Sequence, residues 1–239
     1  MSDSVKAPAP ALVWSKPRRT PRRQAPGVEQ IVHAAVRIAD AEGLAAMSMR
    51  RVAADLGSGT ASLYRYVASR DDLLDLMIDT VQGEVGPPSL SGDWRADLAS
   101  VARHVRATLL RHAWLGPDLA GRPALGANSL RLQEIALTAA TALIPDITLA
   151  AGVVDTVLAY VFGAVARELA EEQAQRRSGL TKDQWRDSVA PYIRDVIASD
   201  AYPQFARMVR DAEDADPGQR FDFGLACVLD GIAARVHSP

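Results

Sequence analysis

Apolar residues recur with helical spacing from residue 28 onward. Val28, Ile31, Val32, Ala35, Val36 and Ala39 fall at offsets of three, four, seven, eight and eleven, which predicts a first helix with one apolar stripe, stopped at Gly43. His33 lies beside that stripe, at the surface or half-buried. Residues 48–56 predict a second, shorter helix: Ser48 is suited to cap it, and Met49, Val52, Ala53 and Leu56 form its buried stripe. Gly57 stands where a helix that ends left-handed needs a residue without a β-carbon, and Ser58-Gly59 extends the turn. Residues 60–67 then form a third helix, with Leu63 and Val67 turned inward and Ser62, Arg65 and Tyr66 on the opposite side. Ser69-Arg70-Asp71-Asp72 opens a fourth helix in a capping-box pattern, followed by Leu73, Leu74, Met77, Ile78 and Val81 and ended by Gly86-Pro87-Pro88.

The helical pattern continues to the end of the chain. Trp94, Leu98, Val101, Ala102, Val105 and Leu109 share one face up to Ala113, and Pro117, Gly121 and Pro123 break the segment that follows. Leu130, Ile135 and Leu137 lie in a helix that reaches Ile144 and is closed by Pro145. Residues 147–166 are the most apolar stretch. They could span a bilayer, but Asp155 near the middle and the polar continuation ARELAEEQAQRR favour a buried helix of a soluble core, with no membrane as partner. Being apolar on more than one face, this helix is expected to pack on its own domain and on a second subunit, with Gly152, Ala159 and Gly163 allowing close approach. Residues 181–199 predict a helix interrupted or kinked near Pro191. Residues 220–236 predict the last one, with Phe221, Leu225, Val228, Leu229 and Ile232 on its stripe. Strand-like alternation, hairpin signals and internal repeats are missing from the sequence, so the fold class is all-α.

Composition narrows the class. A chain of 239 residues, 48% hydrophobic and 23% charged, can bury a core and form one or two domains. The single Cys227 excludes an internal disulfide and is consistent with a reducing cytoplasm. Charge is uneven: residues 1–70 hold eleven Lys and Arg against five Asp and Glu, a net of +6, while the remaining 16 and 24 give −8. Residues 1–27 form a basic, proline-rich extension that can neither propagate a helix nor bury a core, and is expected to be disordered. It reads equally as an arm along phosphates or a minor groove and as a solvated tail without a target. No apolar core of a secretory signal precedes its charges.

The basic half carries the turn between residues 48 and 70. A hydroxyl, a guanidinium and a phenol on one face of a slim, anchored helix suit the major groove of double-stranded DNA, although the same spacing is met by an ordinary helical hairpin in a bundle. The wider stretch of residues 28–81 resembles the N-terminal domain of the TetR family of transcriptional regulators. The matching elements are A-x-G-L at residues 41–44, R-x-V-A-x-x-L-G at residues 50–57 and S-L-Y-R-Y-V-x-S-R-D-x-L-L at residues 62–74, with a departure at Ser58-Gly59. The pattern FDFGLACVLDGIAARV likewise resembles the last helix of the regulators nearest the tetracycline repressor.

The resemblance implies an N-terminal three-helix helix-turn-helix domain over residues 28–73 and a larger helical ligand-binding and dimerisation domain over residues 74–239. It implies a homodimer formed through the helices near residues 147–177 and 220–236, and a repressor released from a palindromic operator by a small molecule. Thr60, Ser62, Tyr64, Arg65 and Tyr66 would face DNA, with Arg50 reaching a base or a phosphate. Arg65 is the choice for base reading, and Ser48, Tyr64, Tyr66 and Arg70 for phosphates. A ligand pocket is expected between the helices of residues 94–165, with His104, Trp114, Asn128, Arg131 and Tyr160 as candidates on chemistry and location.

Catalytic patterns are missing: no G-x-G-x-x-G after a strand, phosphate loop, H-E-x-x-H or nucleophile elbow occurs, so neither enzyme activity nor a cofactor is expected. His104 and His112 are eight apart, too far for joint coordination of one metal ion, and no metal is expected. Glu168, Glu171 and Glu172 with Arg176 and Arg177 read as a solvated face with intrahelical pairs. Two rivals remain at this point: a DNA-binding regulator controlled by a protein partner, and a helical enzyme with an incidental helix-turn-helix.

Overall fold

The computed structural model describes residues 12–15, 27–116, 124–199 and 201–236. Most of the basic extension, and the break at Pro117, Gly121 and Pro123, lie outside them. The chain divides between Asp155 and Thr156 into two compact units. Every regular element among the described residues is helical.

The first unit is built on α1 (Val28–Glu42), α2 (Met49–Asp55), α3 (Thr60–Leu63) and α4 (Arg70–Gln82). Ile31, Val32, Ala35, Val36 and Ala39 of α1 are buried as their spacing predicts, and α1 packs on α2 and α4. Ser48 caps α2 by accepting the Arg51 N–H at 3.1 Å, and Ser69 caps α4 by accepting the Asp72 N–H at 2.9 Å. Gly57 adopts φ 59°, the left-handed conformation that reverses the chain after α2. The third helix is shorter than the pattern predicts. One α turn ends at Leu63, and the Tyr66 and Val67 N–H groups fold back onto the Leu63 carbonyl at 2.9 and 3.0 Å.

The same unit continues with α5 (Trp94–Arg111), a 3₁₀ turn at Ala113–Leu115 and α6 (Ala127–Leu143), and α6 packs on both α4 and α5. Two boundaries move. α4 stops at Gln82 rather than at Gly86-Pro87-Pro88, with Gly83 as its C-cap, where a β-carbon would collide with the Asn128 side chain. α5 stops at Arg111, two residues before Ala113, with His112 leaving helical geometry at φ −120°, ψ 73°. In α6 the buried positions are Leu132, Ala136, Ala139 and Ala140, whereas Leu130 is exposed.

Asp146 starts α7 (Ile147–Ser178) by accepting the Leu149 N–H at 2.9 Å, and Gly179 at φ 67° ends it. This helix is long and apolar enough to cross a membrane by length and composition, and only a third of its most apolar window is buried, so within a single chain it is less covered than the buried core helix expected from the sequence. The second unit takes α7 from Thr156 onward, then α8 (Lys182–Ala198), α9 (Pro203–Asp211) and α10 (Pro217–Val236). Val157, Val161 and Val165 of α7 and Phe221, Leu225 and Leu229 of α10 are buried. α8 runs unbroken through Pro191 and buries no residue, so the expected interruption does not occur. α9 is absent from the sequence reading, and α10 begins three residues earlier than predicted, with Pro217 in its first turn.

Candidate nucleic-acid interface

Leu63 and Val67 are 0% exposed, and burial of each is worth about 1.5–3 kcal/mol. That anchorage fixes which side chains of α3 and its following turn face water. Tyr64 is 51% exposed, Arg65 is exposed, and Thr60, Ser62 and Tyr66 are half-buried. Arg65 Nη2 donates to Ser62 Oγ at 2.8 Å, holding the guanidinium over the helix. Thr60, Ser62, Tyr64, Arg65 and Tyr66 thus stand on one short element. Arg50 is exposed on the adjacent α2.

The other two predicted contact residues, both exposed, bond within the chain. Ser48 is the α2 cap. Arg70 donates from Nε to the Met47 carbonyl at 3.2 Å and from Nη2 to the Leu44 carbonyl at 3.1 Å, tying the start of α4 to the loop between α1 and α2. Surface pairs fix the same three-helix unit: Arg51 reaches Glu42 at 2.6 Å and Arg37 reaches Asp55 at 2.9 Å. Exposed pairs of this kind contribute little singly, but both join α1 to α2.

Of the predicted ligand residues, His104, Trp114, Asn128 and Arg131 lie in the first unit and Tyr160 in the second. Asn128 donates from Nδ2 to the Asp79 carbonyl at 3.0 Å, and Trp114 donates its indole N–H to Asp40 Oδ1 at 2.7 Å. Both are held by polar partners in the first unit. His104 is half-buried on α5, and burial lowers its pKa from the ordinary histidine value. Arg131 is exposed on α6.

Tyr160 belongs to the second unit, where its hydroxyl donates to the Phe221 carbonyl at 2.7 Å. Around it lies a cavity of about 440 Å³, lined by Tyr160, Gly163, Arg167, Glu168, Arg220 and Phe221 among others. Arg220 is positioned there by Glu171, whose carboxylate accepts from Nη2 at 2.9 Å. Among the described residues no group of three or more His, Cys, Asp or Glu is placed to hold a metal ion.

Sequence reasoning missed two buried carboxylates. Asp79 lies among Leu76, Met77, Ile78 and Val81 of α4, and Asp97 lies beside Leu98 on α5. A charge inside an apolar run was the available signal. Asp97 accepts from the Ser91 N–H and hydroxyl, both at 2.7 Å, and from the Gly92 N–H at 3.1 Å. Those bonds, the Ser91 backbone first, hold its pKa below the ordinary aspartate value.

Residues 31–77 match the family described as bacterial regulatory proteins, tetR family, and residues 87–236 match the tetracyclin repressor-like C-terminal domain. The chain is 40% identical over 232 residues to the HTH-type transcriptional repressor DrrR1 of Streptomyces coeruleorubidus, covering 94% of this chain and 84% of that one. It is 26% identical over 215 residues to the class A tetracycline repressor of transposon 1721 from Escherichia coli, covering 86% and 89%. Among solved structures, ActR of Streptomyces coelicolor in complex with actinorhodin aligns with a TM-score of 0.72 at 31% identity, covering 90% of this chain and all of that one.

Proposed function

The chain belongs to the tetR family of bacterial regulatory proteins and is a DNA-binding transcriptional regulator; from that premise we propose that it is a homodimeric repressor, released from a palindromic operator by a small molecule. Regulators of this family are in general non-enzymatic, and they act where the chromosome is, in the cytoplasm.

The observation that carries the DNA-reading role is that Tyr64 and Arg65 are exposed, with Thr60, Ser62 and Tyr66 half-buried beside them, over the buried pair Leu63 and Val67. Arg65 is the base reader, because its fork matches the two acceptors on a guanine edge. Arg50, Tyr64 and Tyr66 contact phosphates, while Ser48 and Arg70 first hold α2 and α4 in place and add donors to the backbone from there. The reader spans residues 28–73 and the effector and dimerisation part residues 74–239.

A dimer follows from information content. One α turn reads only a few base pairs, too few to be selected against a genome's excess of non-specific sites, whereas two copies on a two-fold axis read a palindrome. The small-molecule role draws support from ActR, seen with actinorhodin, and from the cavity at Tyr160. Tyr160 lines that cavity, and His104, Trp114, Asn128 and Arg131 of the first unit are the other candidate ligand residues.

Selection of bound fragments from random duplex DNA tests the reading. An enriched palindrome with half-sites about one helical turn apart, or a multiple of it, is expected. Recovery of unenriched sequence at every round would overturn it.

A further inference from the structure

We propose that His112 is a coupling residue: its ring clasps the reader to the C-terminal end of α5 by bridging Asp40 of α1 and Glu84 just past α4. This rests on the DNA-reading function assigned above. The imidazole is 3% exposed, and both of its nitrogens face carboxylates, Nδ1 at 2.8 Å from Asp40 Oδ1 and Nε2 at 3.0 Å from Glu84 Oε2. Only a ring with protons on both nitrogens can donate to both acceptors at once. Two flanking residues complete the arrangement. Trp114 donates its indole N–H to the same Asp40 oxygen at 2.7 Å and packs edge-on to the imidazole at 6.0 Å, and Arg111 reaches Glu84 Oε2 at 3.3 Å.

The placement singles this cluster out. Asp40 is in the last turn of α1, the helix on which α2 rests, and Glu84 follows α4, the helix that leaves the reader. His112 is the residue where α5 ends, and its backbone N–H still bonds to the Thr108 carbonyl at 3.0 Å. A shift or rotation of α5 therefore carries the ring with it. The ring cannot keep both contacts at these lengths without moving α1 and the end of α4 together. Hydrophobic contacts would let these elements slide, but short bonds with defined direction do not. Packing alone needs no histidine here, since α1, α4, α5 and α6 already bury an apolar core.

The test uses the full chain with spin labels at His33→Cys on α1 and Ala107→Cys on α5, in a Cys227→Ser background diluted with unlabelled chain. His33 and Ala107 are both exposed. The readouts are the α1–α5 distance distribution and the affinity for a duplex selected by the unlabelled protein. His112→Gln, which keeps one donor, and Asp40→Asn are each expected to broaden the distance distribution and to weaken duplex binding about tenfold, within the range of site-to-site coupling. The double variant should lose no more than the worse single one.

Leu109→Ala, a buried change on the same helix that leaves the clasp intact, should lower the melting temperature and leave the distance distribution narrow. If His112→Gln does not fold, Asp40→Asn and Asp40→Ala decide the matter, since the first removes the charge on the oxygen that faces His112 Nδ1 and the second removes that oxygen. Unchanged distances with affinity within twofold of the parent would overturn the proposal. A broadened distance in a protein that enriches no duplex sequence would keep the clasp and overturn the DNA-reading function instead.

Discussion

Asp79 of α4 closes the N-terminus of α6 by accepting the Asn128 N–H at 2.9 Å, a cap supplied by a different helix. The same oxygen accepts the Ser129 N–H at 3.0 Å and the Ser129 hydroxyl at 3.3 Å. Gly126 occupies the cap position itself and has no side chain to offer, and a β-carbon there would overlap the Asp79 carboxylate. The charge also sits at the positive end of the α6 dipole.

Asp79→Ala should accordingly destabilise the chain by about 2–3 kcal/mol, the cost of stranding buried N–H donors that a charged acceptor had satisfied. Asp79→Asn should cost less, because it retains one acceptor. The check is the midpoint of urea unfolding at constant m-value. Gly126→Ala should be destabilising as well, in contrast to the usual gain from replacing a glycine.

Gly57→Ala isolates the backbone term of the turn. At φ 59° an L side chain is strained, yet a β-carbon there would meet no described atom within 4 Å. The expected loss is about 1–2 kcal/mol from conformation alone, with Gly57→Asn losing less because asparagine tolerates the left-handed region. Thermal unfolding of the three proteins measures it, and equal losses for alanine and asparagine would contradict the cause given.

Arg65 and Arg50 should separate base reading from phosphate contact. Arg65→Ala is expected to cost about 1–3 kcal/mol of duplex affinity and to relax preference at one base position. Arg50→Ala should weaken all sequences alike and reduce the salt slope by about one. Salt titrations on the selected duplex and on a one-base variant distinguish the two. An Arg65→Ala protein with unaltered preference would move the reading role to another side chain of the same face.

The reader was legible in sequence because its signals are local. Leu63 and Val67 are four residues apart, Gly57 sits at its turn, and Ser48 and Ser69 precede their helices, so spacing alone places each one. The effector part was less legible for the opposite reason. Asp79 and Asn128, or Asp40 and His112, are brought together by packing of helices distant in sequence, and no period encodes such a meeting. Trp114 and Asn128 likewise bond to aspartates of other helices, Asp40 and Asp79, partners that their positions in the sequence do not signal. α9 was overlooked because its apolar residues Phe205, Met208 and Val209 span less than two turns, too short a window for periodicity.

Two groups give stability a pH dependence with the same sign. Burial lowers the His104 pKa below its ordinary value of 6.5, so the unfolded chain binds the proton more readily and stability falls as pH drops from 6.5 toward the folded-state value. His104→Leu should flatten that part of the profile. Asp97, lowered from 3.8 by the Ser91 and Gly92 donors, stabilises the fold fully above 3.8 and loses that contribution as pH falls through its folded-state value. Asp97→Asn should flatten the acid limb alone. Chemical denaturation at fixed pH between 3 and 7.5 would resolve the two windows, and a profile identical in both variants and the parent would refute the assignments.

Gly163 gives the sharpest test of the dimer. On α7 it is exposed, as is Ala159, and a β-carbon added at Gly163 would meet no described atom within 4 Å. A single chain therefore has room for a β-carbon at this position. Glycine is the costliest residue inside a helix apart from proline, so Gly163→Ala should stabilise an isolated chain by about 0.5–1 kcal/mol. In the proposed dimer this glycine would allow a close approach of the second subunit. Gly163→Arg should then leave the fold intact, convert the protein to monomer in sedimentation, and reduce operator affinity far more than twofold, because a lone reader loses its second half-site. A dimer that survives the arginine would place the subunit contact on another face.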